Sequence, residues 1–254
     1  MPETTETASD LTRVDGVRAA LRRSFAAREL RIDRLAFERD RAFLIEGEVA
    51  SLAAKKRALR IAAIASDARG LVDRLHVKAA APMTDGEIRV RVAQLFALDP
   101  RFQDLAIEQD RNPSPLAEDR APVTVAPANP PGRVVVEVLD GVVTLDGSAP
   151  SLVRKRLAGA IPWRVAGVRD VINGLAVEPP EDDGPDQVEE AIREALDGNP
   201  LFDDTQIKVG VFGDYVRLTG LVHSHAARQV AEAETWRIQG VDEVINEIEV
   251  RAGS

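Results

Sequence analysis

The sequence predicts an α+β protein of three tandem small helix-strand-strand-helix-strand units, each a three-stranded mixed sheet covered by two helices. Three observations lead there. Ile45, Glu46, Gly47 and then Ser51 return as Leu145, Asp146, Gly147 and Ser151, and again as Leu218, Thr219, Gly220 and Ser224. Each copy closes on an apolar run, Leu71 to Val77, Val171 to Val177 and Val244 to Val250, that begins 24 residues after its glycine. Between glycine and run lies a stretch with helical spacing, and a constant offset over such a distance marks a copied supersecondary unit. A chain of 254 residues also suits three units of roughly 70 residues better than one core.

Residues 1–10 form a polar, acidic tail. The first unit, residues 11–79, is the most divergent: Arg39, Asp40 and Arg41 at its strand turn include no glycine, and Asp67 and Ala68 replace the Gly and Val that precede the last strand elsewhere. In the second unit, residues 83–178, Ile88, Val92, Leu95 and Phe96 fall at helical spacing, and Val134, Val136 and Val138 alternate toward a tight turn at Asp140 and Gly141. Its insert, residues 105–132, carries Pro113, Pro115, Pro122, Pro127, Pro130 and Pro131, which predicts an extended, poorly packed loop.

The third unit, residues 185–251, opens with Val188, Ala191, Ile192, Ala195 and Leu196 on one helical face, ended before Asn199 and Pro200. Ile207, Val209 and Val211 alternate, Gly213 and Asp214 turn the chain, and Val216 and Leu218 lead to the Gly220 turn. Ser51, Ser151 and Ser224 stand where a second helix needs an N-cap, each able to accept a backbone N–H of the first turn. Ala58, Ala158 and Ala231 share one offset and put a small residue inward, so helix backbone approaches sheet closely. Ala79 to Thr84 and Glu178 to Pro185 are linkers, short enough for the units to pack on one another.

Composition narrows function by exclusion. There are no cysteines, which excludes disulfides, thiolate metal sites and a lipid-bearing cysteine. Met1 to Asp10 lacks the basic flank and apolar core of a secretory signal, and no apolar run is long enough to span a bilayer, so the expected location is cytoplasmic, with membrane contact only peripheral. The net charge of −9 is unevenly spread: residues 11–79 carry +7 and residues 179–254 carry −11. Opposite ends of opposite sign suit self-association, through those ends or through sheet edges, or approach to an anionic surface.

The pattern resembles the bacterial BON domain family, named for an osmotically inducible protein and for nodulation-associated proteins. The residues that carry the resemblance are Gly220, Ser224, Gly240, Val241, Val244, Asn246, Ile248 and Val250, matched by Gly147, Ser151, Gly167, Val168, Val171, Asn173, Leu175 and Val177. The first unit keeps Gly47, Ser51, Leu71, Leu75 and Val77 but has Asp73 at the Asn position. The resemblance implies a non-enzymatic module, often in tandem, that binds phospholipid or envelope surfaces and serves in osmotic or envelope stress. Some cytoplasmic relatives bind potassium, so an ion- or small-ligand-binding module is the alternative.

Two kinds of candidate residue stand out. Lys55, Lys56 and Arg57 begin the second helix of the first unit, Arg154, Lys155 and Arg156 sit at the corresponding place in the second, and Arg228 remains in the third. Positive charge near a helix N-terminus opposes the macrodipole, so these residues point to an anionic lipid surface or an acidic protein partner. Trp163 and Trp236, 16 residues after their glycines, are candidate interface anchors or core residues; Pro162 should shorten the helix before Trp163. His223 and His225 with the distant His76 supply no third ligand, so no metal site and no cofactor are expected. Asp203 with Asp204 and Glu189 with Glu190 read as solvated faces. No catalytic triad, phosphate loop or dinucleotide fingerprint occurs, which argues against an enzyme, and the lack of interleaved aromatics argues against nucleic acid.

Overall fold

A computed structural model of the protein describes residues 8–38, 41–110, 120–122, 127–197, 199, 201–202, 207–213 and 215–251. The tail at 1–7, Arg39, Asp40, Pro113, Pro115, Pro200, the Asp203 and Asp204 pair and the turn residue Asp214 lie outside these residues. The chain divides into two compact parts, Met1–Lys78 and Ala79–Ser254.

The first part runs α1 (Ala8–Ser24), β1 (Leu30–Phe37), β2 (Ala42–Val49), α2 (Leu52–Ser66) and β3 (Gly70–Val77). Its sheet has the order β1-β2-β3, antiparallel then parallel. Strand alternation sends Phe43, Ile45 and Val49 to one side, where they bury against Val14, Val17 and Leu21 of α1 and Ala58 and Ala62 of α2. The β1–β2 register slips between Ile32 and Arg34, so Asp33 forms a bulge. Arg31 and Arg34 then oppose Glu48 and Glu46, on the side away from the helices.

The second part holds two units. The middle one comprises α3 (Asp85–Leu98), β4 (Ala106–Asp110), β5 (Arg120–Pro122), β6 (Arg133–Leu139), β7 (Val142–Ala149), α4 (Leu152–Ala160), β8 (Asp170–Asn173) and β9 (Ala176–Val177). The third comprises α5 (Pro185–Asp197), β10 (Ile207–Phe212), β11 (Tyr215–Val222), α6 (His225–Arg237) and β12 (Glu243–Val250), with sheet order β10-β11-β12. The first and third units share the helix, strand, strand, helix, strand order with three strands in each sheet, while the middle unit adds strands to that order.

The middle sheet is wider, with six strands: β5-β4-β6-β7-β8, and β9 also on β7. Two differences from the sequence reading produce this. The insert is not simply a poorly packed loop, because Leu105 and Ile107 bury in the core and carry β4 into parallel pairing with β6. Pro122 sits in β5, which ends this sheet among the described strands, a position where proline is tolerated. The last strand is also split at Gly174, where the first and third units run eight residues without a break.

The repeated glycines are not turns. Gly47, Gly147 and Gly220 lie inside β2, β7 and β11, opposite Ile32, Val134 and Ile207, with φ of 158°, 116° and 127°. A β-carbon on Gly147 would overlap the carbonyl oxygen of Arg133 on the neighbouring strand. Close strand approach, combined with a backbone that side chains disfavour, is what the repeat preserves. The other shared positions behave as the sequence indicates. Ser51, Ser151 and Ser224 each accept a bond from the backbone N–H three residues on, at 3.1 Å, and Ala58, Ala158 and Ala231 are fully buried. Asp67 takes the left-handed conformation, φ 49°, at the place where the third unit has Gly240.

Candidate functional site

Counted from the repeated glycines, Lys55, Lys155 and Arg228 are equivalent, so the two three-residue basic clusters are displaced from each other by one position. At this shared position the helix is tied to the last strand. Asn173 donates its amide to the Lys155 carbonyl at 2.7 Å and Asn246 donates to the Arg228 carbonyl at 3.1 Å. The side-chain oxygens of both accept from the backbone two residues on. Asp73 makes the same local bond to Leu75 N–H but has no amide to offer the helix. Instead the buried Lys55, 5% exposed, places Nζ 3.0 Å from Asp73 Oδ2. The divergence of the first unit at this site is therefore a change of strap, from an amide bond to an ion pair. Lys55→Ala should cost about 1–3 kcal/mol in urea unfolding, and adding Asp73→Asn should recover part of it by restoring the amide donor.

In the middle unit the basic cluster is engaged in packing. Arg154 reaches Asp104 at 3.1 Å and lies 5.8 Å from the centroid of the Phe102 ring. Arg156, 5% exposed, bonds Asp183 of the linker at 2.5 Å and the Gln239 carbonyl beyond α6 at 3.0 Å. Lys155 is half-buried. Further bonds cross the same seam: Arg101 donates to the Glu194 carbonyl of α5 at 2.7 Å, and Arg164 pairs with the buried Glu234 of α6 at 3.0 Å. Burial pushes the Asp99 carboxyl up, but its hydrogen bonds from Arg101 and the charges of Arg101 and Arg164 outweigh that and hold it below the usual carboxylate range. One apolar core runs through both units, and Trp163 and Trp236 pack half-buried against it. Pro162 ends α4 at Ala160 and opens the short 3₁₀ turn that carries Trp163.

In the first unit too part of the cluster is engaged: Lys55 pairs with Asp73, and Arg57 lies 3.9 Å from Glu29. Its α2 holds four basic residues and no acidic one. Ala58 and Ala62 define the inner face, which leaves Lys56, Arg57, Arg60 and Ile64 along the outer one at helical spacing. Ile64 is 74% exposed. Arg57 donates to the Ser24 carbonyl at 2.9 Å and covers the Phe25 ring at 4.0 Å, which draws this stripe against the last turn of α1, where Arg22 and Arg23 are exposed. Lys56 and Arg57 are thus brought together with residues that sequence reasoning did not single out: Arg22, Arg23, Arg60 and Ile64. The signal available was an isoleucine four residues after Arg60, off the inner stripe, in a helix without acids.

Among the described residues, no group of three or more His, Cys, Asp or Glu gathers as a metal site, and no helix is long and apolar enough to cross a membrane. Two segments of the chain, residues 123–179 and 184–252, match the model of the BON domain, which covers the middle unit from within its insert and the whole third unit. The first unit lies outside the matched residues. A search of curated proteins returns no match. Two solved structures of CdsD, a structural protein of the type III secretion system of Chlamydia trachomatis, are each 14% identical. One, of the C-terminal domain, covers 94% of this chain and 96% of its own with a TM-score of 0.24; the other covers 94% and 92% with a TM-score of 0.25.

Proposed function

We propose that the protein is a non-catalytic binding and assembly protein whose first unit docks on an anionic phospholipid surface, peripherally, through the outer face of α2. The BON match of the other two units supports a non-catalytic role, and the shared element order supports reading the first unit as a divergent third copy. The observation that carries the proposal is the outer face of α2: Lys56, Arg57 and Arg60 beside an isoleucine 74% exposed, on a helix with no acid. Each basic residue near an anionic bilayer contributes about 1 kcal/mol. A side chain such as Ile64 adds apolar burial if it enters the headgroup boundary. The buried Lys55 and Arg156 then serve as straps, and the seam residues hold the second and third units together. The resemblance suggests osmotic or envelope stress as the setting.

Co-sedimentation with phosphatidylglycerol vesicles tests the proposal. The protein should be retained at low salt and released as salt rises, with little retention on phosphatidylcholine. Equal retention on both lipids would contradict it.

A further inference from the structure

We propose that the protein assembles head to tail, the β1 edge of one copy receiving the β12 edge of a second copy. The inference does not rest on lipid binding, because it uses neither Lys56, Arg60 nor Ile64.

Among the described strands, β1 pairs only with β2 and β12 only with β11, so each sheet ends on a free strand eight residues long. Such edges are templates for another strand unless they are guarded. A groove of about 440 Å³ lies between β1 and the last turns of α1. Leu21 and Phe25 contribute its apolar lining, and Arg18, Arg22, Arg31 and Arg34 line it with one acid, Asp33, which pairs with Arg31 at 3.3 Å. The bulge at Asp33 matters here. Without it, residues 31 and 34 would point to opposite faces; with it, both arginines stand on the face away from the helices, opposite Glu48 and Glu46.

The β12 edge is complementary. Ile248 is buried on its helix-covered side, so strand alternation turns Glu243, Ile245, Glu247 and Glu249 to the other face, where Glu247 lies 3.7 Å from Arg217 of β11 and Glu249 is exposed. Its register with β11 is unbroken over eight residues, and no bulge bends it away from a partner. When two sheets join edge to edge, their helix-covered faces lie on the same side and so do their opposite faces. That places the glutamates of β12 beside the arginines of β1. The charges of the units agree, +7 for residues 11–79 and −11 for residues 179–254. A β1–β1 pair would set arginine against arginine and a β12–β12 pair glutamate against glutamate, so like charge selects against both symmetric pairings. A contact between unlike edges repeats from copy to copy and ends in a ring or a filament.

Sedimentation velocity of the full chain tests this. At low salt the average mass should rise with protein concentration, and the association constant should fall about tenfold or more at physiological salt. Arg31→Glu with Arg34→Glu, and Glu247→Arg with Glu249→Arg, should each give a monomer with unchanged far-ultraviolet circular dichroism. Mixed in equal amounts, these two variants should associate again beyond a dimer, since β12 of the first meets β1 of the second, and β1 of the first meets β12 of the second, with opposite charge restored at both junctions. Arg22→Glu, on the groove but off the strand, should weaken association without touching the sheet, and Lys56→Glu with Arg60→Glu should leave it intact. A wild-type chain that stays monomeric at low salt, variants that associate like wild type, or a mixture that stays monomeric would each overturn the proposal.

Discussion

Replacing Gly147 with alanine should lower the stability of the Ala79–Ser254 part by about 3–5 kcal/mol, combining the strain of a disfavoured backbone with overpacking. The glycine has φ of 116°, and a methyl group there would overlap the Arg133 carbonyl oxygen. Neither neighbour can yield cheaply. Arg133 and Gly147 belong to β6 and β7, the antiparallel pair at the centre of the six-stranded sheet, and moving one strand would disturb β4 and β8 as well. Urea unfolding should show the midpoint displaced with a similar slope. A change within a few tenths of a kcal/mol would mean that the repeated glycine is not a site of close strand approach.

The second large effect is expected at Arg156. Arg156→Ala should cost about 2–3 kcal/mol by removing two charge-assisted bonds from a nearly dry site, and it should also loosen the coupling between the second and third units. The guanidinium connects α4 to Asp183 of the linker and to the Gln239 carbonyl between α6 and β12 of the third unit. Trp163 in the second unit and Trp236 in the third make the coupling measurable. With Trp163 or Trp236 alone retained and the other changed to phenylalanine, unfolding curves should coincide in the parent chain and separate once Arg156 is removed. Coincident curves in the variant would assign the coupling to the apolar core alone.

What could be read in the sequence were features decided locally. A serine at a helix start has one strong role, and Ser51, Ser151 and Ser224 fill it; an alanine between helix and sheet has little alternative, and Ala58, Ala158 and Ala231 are buried as expected. Gly220 reads as a turn in the sequence because a turn and a position inside a strand with positive φ select the same residue. The prolines of the insert hid the short run around Ile107, whose fate depends on an edge of β6 that only the folded sheet provides. The candidate site was harder. Lys55 and Arg156 look like solvent-facing cations in sequence, yet one balances Asp73 and the other closes a seam with a linker 27 residues away. Their partners are fixed by tertiary packing, which spacing along a helix does not reveal. Charge asymmetry between the ends, in contrast, was fully visible, because it needs only counting.

In the proposed function the basic residues on the outer face of α2 meet an anionic surface, while Arg156 of α4 ties the second unit to the third. Vesicle binding of paired charge reversals tests it most directly. Lys56→Glu with Arg60→Glu alters the surface charge by four units, worth about 4 kcal/mol on an anionic bilayer, and should reduce binding to phosphatidylglycerol vesicles at least about a hundredfold. Arg154→Glu with Lys155→Glu alters the net charge equally and should leave binding within a few fold of the parent. Equal losses from the two pairs would show that net charge alone governs attraction to the bilayer, and no loss from the first pair would remove α2 from the interface.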